Sequence, residues 1–170
     1  SARGLTVIDA TCPSVKRIHH IVERAQAAGR QCIIIGTPTH PEVIAIAGWC
    51  ERPLVFSNAE DLQNWTDADP SRRDLPLTMV SQTTSTKFLW ESCKKIAKKV
   101  YTNCEIFDTI CKATENRQTE AAALASECDA MVVVGDKNSS NTVRLAHICS
   151  EHCRNVTLVD NASELDADKL

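Results

Sequence analysis

Two stretches of this chain repeat each other at one common offset, and that repeat limits the fold more than any other feature. Val7-Ile-Asp9-Ala-Thr-Cys12 matches Ile106-Phe-Asp108-Thr-Ile-Cys111. In both, an apolar run is followed by Asp-x-x-Cys. At equal spacing beyond each cysteine comes an apolar run closed by glycine, Ile33-Ile-Ile-Gly36 and Val132-Val-Val-Gly135. Four residues further stand His40 and Ser139. Short β-branched runs at Leu5–Ile8, Cys32–Ile35, Pro53–Phe56, Thr78–Val80, Glu105–Phe107, Met131–Val134 and Val156–Val159 predict strands. Between them, Val15, Ile18, Ile21, Val22 and Ala25 form a helical stripe that stops at Gly29. Leu89, Cys93, Ile96, Ala97 and Val100 form a second stripe, and Ala121, Leu124, Ala125 and Cys128 a third. Leu145, Ile148, Cys149 and His152 form a fourth. Strands that are apolar throughout, alternating with helices, predict an α/β fold with buried, mostly parallel sheets. The repeat divides it into two homologous α/β lobes, 1–103 and 104–170. The polar stretch Asn64–Asp74 is expected to be a long loop. Ligands of such sheets bind at the C-terminal ends of the strands.

Composition narrows the function. The net charge of −3 offers no basic stripe for nucleic acid. No apolar run approaches the roughly 18 residues of a membrane span. No basic region followed by an apolar stretch suggests a signal peptide, and nine cysteines in a chain without that signal suggest a reduced, cytoplasmic setting. The missing initiator Met and a strand so close to residue 1 suggest a piece of a longer protein.

Cys12 and Cys111 occupy equivalent places, each after a strand and before a helix, where helix amides favour a thiolate. The bland alternative for each is a small buried hydrophobe. Cys32, Cys93, Cys128 and Cys149 read as core, while Cys50, Cys104 and Cys153 have no assigned role. His147, Cys149, His152 and Cys153 crowd one stretch and raise the alternative of a zinc site, although Cys149 and His152 fall on the apolar stripe. Thr39-His40-Pro41-Glu42 places an imidazole and a carboxylate at a strand end, either as a proton-transfer pair or as a plain helix start with a surface histidine. Ser139, Ser140 and Asn141 are neutral donors at a helix N-terminus, suited to an anion or to simple capping. Ser81-Gln82-Thr83-Thr84-Ser85-Thr86 is a third such loop. Neither a GxGxxG nor a P-loop pattern is present. Lys94, Lys95, Lys98 and Lys99 form a basic face, either solvated or able to dock an acidic electron carrier.

Taken together, Asp9-Ala-Thr-Cys12-Pro, His40-Pro-Glu42-Val, Ser81-Gln-Thr83-Thr, Asp108-Thr-Ile-Cys111-x-Ala-Thr-x-x-Arg117-Gln and Val133-Val-Gly-x-x-x-Ser139-Ser-Asn141 resemble 4-hydroxy-3-methylbut-2-enyl diphosphate reductase of the non-mevalonate isoprenoid pathway, in order and spacing. The resemblance runs from about residue 5 to residue 165. It implies a trefoil of three α/β lobes around a 4Fe–4S cluster, with this chain supplying two lobes and Cys12 and Cys111 as two of three cluster ligands. The third cysteine, two substrate-binding histidines and a final diphosphate-binding serine would lie outside the chain. Glu42 matches the proton donor, with His40 and Thr83 in its relay. His40, Ser139, Ser140 and Asn141 match contacts to a small diphosphate substrate. The implied reaction removes an allylic hydroxyl as water, using two electrons from a ferredoxin or flavodoxin-type donor, and gives isopentenyl and dimethylallyl diphosphate. Residues 1–170 alone are then expected to lack a stable cluster and turnover. Two rivals stand beside this reading: a non-enzymatic module binding a phosphorylated metabolite, and a zinc-dependent hydrolase using His40 and Glu42.

Overall fold

The structure, a computed structural model, describes residues 4, 6 and 8–166. The chain forms two compact units, Ser1–Thr109 and Ile110–Leu170.

In the first unit a four-stranded sheet is built from β1 (Gln31–Ile35), β2 (Leu54–Phe56), β3 (Leu77–Ser81) and β4 (Cys104–Ile106), in the order β2-β1-β3-β4. Every pairing is parallel, with Ile34 opposite Val55 on one side and opposite Val80 on the other. Helix α1 (Pro13–Ala27) starts on Pro13, whose fixed φ suits a first helical turn. Gly29 beyond its end adopts φ +70, a conformation that favours glycine. The α1 residues Ile18, Val22 and Ala25 pack with Cys32, Ile34 and Val80, and with Val43 and Ile46 of α2 (Pro41–Ala47). Burying one such aliphatic side chain contributes roughly 1.5–3 kcal/mol. Ile33, Ile35 and Met79 alternate onto the opposite face and are fully buried. Helices α3 (Ala59–Asp67) and α4 (Lys87–Val100) pack on each other and bury Leu62, Trp90, Cys93 and Ala97.

The second unit has a two-stranded parallel sheet, β5 (Ala130–Val134) with β6 (Asn155–Val159). Helices α5 (Lys112–Glu127) and α6 (Ser140–His152) accompany it. Ala125, Cys149 and Cys153 form its small core, with Met131, Val133 and Val156 against them.

The repeat survives down to individual hydrogen bonds. Gly36 N–H donates to Phe56 O (2.9 Å), His40 N–H to Thr37 O (2.9 Å) and Ile44 N–H to His40 O (3.0 Å). In the second unit Gly135 donates to Val159 O (2.9 Å), Ser139 to Asp136 O (2.9 Å) and Val143 to Ser139 O (3.0 Å). One strand–turn–helix joint is therefore built twice.

Several expectations change. Of the strand expected at Leu5–Ile8, Leu5 and Val7 lie outside the described residues, and Thr6 and Ile8 are not in a strand. Cys104–Ile106 pairs with β3, so this segment belongs to the first unit's sheet. The stretch Asn64–Asp74 is not one loop. Helix α3 runs through Asp67, capped by Asn58 Oδ1 accepting from Asp61 N–H (2.8 Å), and a 3-10 turn covers Pro70–Asp74. Arg72 lies over the Trp65 ring at 4.5 Å, which ties that turn to the helix. Cys128 is exposed, because α5 ends at Glu127 and Cys128 is its cap. Leu124 and His152 are likewise exposed. Val132 and Val134 are 37% and 67% exposed, since the core of this unit lies on the Met131 and Val133 face alone.

Candidate functional site

The connection from β1 goes to β2 on one side of the sheet, and the connection from β3 goes to β4 on the other. The crevice between the ends of β1 and β3 is therefore a topological switch point, where open α/β sheets take ligands. Cys12 is the N-cap of helix α1, which packs on β1 and β3.

Glu42 and Thr83 meet across the crevice. The Glu42 carboxylate accepts the Thr83 backbone N–H on Oε1 (2.6 Å) and the Thr83 hydroxyl on Oε2 (2.7 Å). Both are short, charge-assisted bonds. His40 caps α2, its Nδ1 accepting the Glu42 backbone N–H (3.1 Å). A nitrogen that accepts cannot carry the proton, so the imidazole proton sits on Nε2 and is available as a donor. Three residues picked from sequence are thus joined in one hydrogen-bonded unit.

Their support comes from the floor of the crevice. Gly36 lies so close to β3's exit that a Cβ there would sit 2.8 Å from Gln82 Cβ and 2.8 Å from Val43 Cγ2. The Gln82 side chain accepts from Thr37 N–H (3.1 Å) and donates to Thr84 Oγ1 (2.7 Å), linking the two loops. Thr109 Oγ1 donates to Ser81 O (2.6 Å) and accepts from Ser81 N–H (2.7 Å), and the residue is buried. Gln82 and Thr109 were not singled out by function in the sequence. Gln82 sits within a donor-rich loop, whereas Thr109 gives no local signal.

In the second unit, Ser139 caps α6 with its Oγ accepting from Thr142 N–H (3.4 Å), which leaves its own proton to donate. Ser140 is the first residue of α6. The Asn141 Oδ1 is buried without a partner in the structure. The capping bond itself uses only the Ser139 side chain.

Cys12 and Cys111 are the N-caps of α1 and α5, neither is in a disulfide, and neither side chain makes a capping bond. Each is a thiol at a helix start, a soft donor of the type that ligates iron. Among the described residues no group of three or more His, Cys, Asp or Glu is gathered as for a metal ion. The alternative zinc stretch is dispersed. Cys149 and Cys153 are buried with Sγ toward Ala121 O (3.9 Å) and Cys128 O (3.5 Å), and His147 pairs with Glu151. On the basic face, Lys94 pairs with Glu91 while Lys95, Lys98 and Lys99 are exposed. Among the described residues no helix is long and apolar enough to cross a membrane.

Comparison with known proteins adds a separate line. The family model described as LytB protein matches residues 1–170. The 4-hydroxy-3-methylbut-2-enyl diphosphate reductase of Caldanaerobacter subterraneus subsp. tengcongensis is 36% identical over 169 residues, covering 99% of this chain and 57% of that protein. The protein of the same name from Clostridium tetani is 40% identical over 169 residues, covering 96% of this chain and 25% of its own length. A solved structure of (E)-4-hydroxy-3-methyl-but-2-enyl diphosphate reductase, the terminal enzyme of the non-mevalonate pathway, matches with TM-score 0.60 and 31% identity over 99% of this chain and 59% of that one. The E-1-hydroxy-2-methyl-but-2-enyl-4-diphosphate reductase from Plasmodium falciparum matches with TM-score 0.83 and 28% identity, over 95% of this chain and 50% of that one. The chain thus spans well under two thirds of the length of these relatives.

Proposed function

The chain belongs to the LytB protein family, and we propose from this premise that it forms part of a 4-hydroxy-3-methylbut-2-enyl diphosphate reductase. The observation that carries the reading is the Glu42 carboxylate held by two Thr83 donors across the β1–β3 crevice. A carboxylate fixed at both oxygens is a defined station for a proton, and the adjoining Thr83 hydroxyl can pass one on. His40 Nε2–H supplies a neutral donor for a substrate oxygen. In the second unit, Ser139, Ser140 and Asn141 are assigned to the diphosphate. Neutral donors suit a charge that the substrate carries throughout the reaction.

Cys12 and Cys111 are assigned as ligands of a 4Fe–4S cluster. The chemistry such a cluster supplies is electron delivery and Lewis acidity toward an allylic hydroxyl. The overall change takes two electrons and two protons, breaks the allylic carbon–oxygen bond and releases water, giving isopentenyl and dimethylallyl diphosphate. A ferredoxin or flavodoxin-type protein is the proposed electron donor, and the proposed setting is the cytoplasm.

The test is Cys12→Ser and Cys111→Ser in the full-length protein, purified and reconstituted without oxygen. Each substitution is expected to abolish both the iron–sulfur absorbance and reductase activity. A phosphometabolite-binding module without enzymatic function instead requires that both variants keep full ligand affinity and contain no iron in the parent protein. A zinc-dependent hydrolase requires stoichiometric zinc in the parent.

A further inference from the structure

Two neighbouring chains leave the first unit's sheet in parallel, one after β3 toward Thr83 and one after β4 toward Cys111. Their main-chain pairing runs from Leu77 N–H donating to Asn103 O (2.9 Å) as far as Phe107 N–H donating to Met79 O (2.9 Å). The next rung is made by a side chain. Thr109 Oγ1 accepts the Ser81 N–H (2.7 Å) and donates to Ser81 O (2.6 Å). Ser81 is fully buried and Thr109 is 5% exposed. In a parallel ladder an N–H meets a carbonyl and a C=O meets an N–H. A hydroxyl does both at once, so Ser81 stays paired while the main chain of Thr109 is free to leave the sheet. Thr109 is also the last residue of the first unit.

The positions beyond this rung match. Thr83 stands two residues after Ser81, and Cys111 two residues after Thr109. Resting on the reductase reading, we propose that Thr109 is a positioning residue for that reaction. Its hydroxyl pins both chain exits at one point, and through them sets the Thr83 donors on Glu42 and the entry of the chain into Cys111.

A tether of two residues leaves little slack. Thr83 holds Glu42 through bonds of 2.6 and 2.7 Å, so a shift of Ser81 passes directly into them. Without the hydroxyl, the buried Ser81 N–H and C=O lose both partners and the two exits part. A displacement near 1 Å in a positioned group can reduce a rate on the order of 100-fold. The Thr109 methyl has no part in the rung, so serine should serve in its place and valine should not.

Full-length Thr109→Val and Thr109→Ser proteins, reconstituted without oxygen and compared with the parent, test this. With a chemical reductant, Thr109→Val should lose at least about tenfold in kcat per cluster, with KM for the diphosphate substrate within about threefold. Its iron should also pass to ethylenediaminetetraacetate several-fold faster. Thr109→Ser should stay near the parent in both. A residue that only supports the fold would lower kcat whatever stands at position 42. In a Glu42→Gln background, adding Thr109→Val should therefore remove less than about threefold more of kcat per cluster. Where valine prevents folding, Thr109→Ala takes its place with the same expectations. A parent protein without cluster or reductase activity overturns the reductase reading, and this proposal with it. With an active parent, three results overturn the proposal alone: parental kcat or parental iron release in the folded valine or alanine protein, a serine protein as impaired as that one, or losses that multiply fully in the Glu42→Gln background.

Discussion

Replacing Gly36 by alanine puts a methyl group where the structure has no room for one. The new Cβ would meet Gln82 Cβ and Val43 Cγ2 at 2.8 Å each, and Gln82 Oε1 at 2.9 Å. Carbon atoms prefer roughly 3.5–4.0 Å, so each carbon contact is short by about 0.7–1.2 Å. Neither neighbour yields easily. Val43 is buried and β-branched, with little rotamer freedom. Gln82 is buried, and its backbone N–H is tied to Ile35 O at 2.8 Å. Gly36 has no positive φ, so the penalty is steric and lies in the order of 1–3 kcal/mol expected for overpacking. The functional effect should be larger. Thr83 follows Gln82 directly, and an outward shift of the loop stretches the 2.6 and 2.7 Å bonds to Glu42. A displacement near 1 Å in a positioned group can cost on the order of 100-fold in rate. Urea unfolding of the full-length protein gives the first quantity, and anaerobic kcat with a chemical reductant gives the second. Adding Val43→Ala should recover only part of the loss, since the Gln82 contact remains. A Gly36→Ala protein with stability unchanged to within about 0.5 kcal/mol and with parental kcat would refute the packing argument. A destabilised protein with parental kcat would refute the link between this turn and the Glu42 site.

Three further outcomes follow from named contacts. Glu42→Gln keeps an oxygen for the Thr83 N–H but cannot carry the proton, so kcat should fall about 10²–10⁴-fold with cluster absorbance and melting temperature retained; a loss below tenfold removes Glu42 from proton transfer. Thr109→Val strips both partners from the buried Ser81 peptide groups, at about 1–3 kcal/mol for each group left unsatisfied, and urea unfolding should show at least about 2 kcal/mol of destabilisation. Burial pushes the Cys93 thiol up to about 11 from its ordinary value of 9.0, so the unfolded chain ionises first. The stabilising contribution is whole below pH 9.0 and is lost as pH rises to about 11, so unfolding free energy should drop more steeply across that window in the parent than in Cys93→Ala. Parallel curves would exclude Cys93 as the cause.

What could be read from the chain alone was whatever local pattern encodes. Cys12, His40, Cys111 and Ser139 stand at turns marked by glycine, proline or a strand's end, and the duplication made them conspicuous. The join of Glu42 to Thr83 was outside such reach, because it depends on β1 and β3 being neighbours with β2 displaced to the edge. Helix α3 was hidden because its buried face is Leu62 and Thr66, and Thr66 hides its hydroxyl by bonding Leu62 O and the Tyr101 hydroxyl. Cys128 was misplaced by extending a 3.6-residue stripe one step past the end of α5. The Val132 and Val134 side chains follow a different logic. A strand apolar on both faces was read as covered on both, while the unit's core occupies one face.

The doubled strand–turn–helix joint has a consequence for how such a protein can diversify. With the same three backbone bonds closing both turns, the fourth position after the glycine is delivered to an equivalent point whatever its side chain. One copy presents an imidazole there and the other a hydroxyl. Each copy can therefore exchange its presented group without redesign of the frame. The joint behaves as an interchangeable tool holder, and grafting a different short loop into either copy is a direct route to new chemistry on an old scaffold.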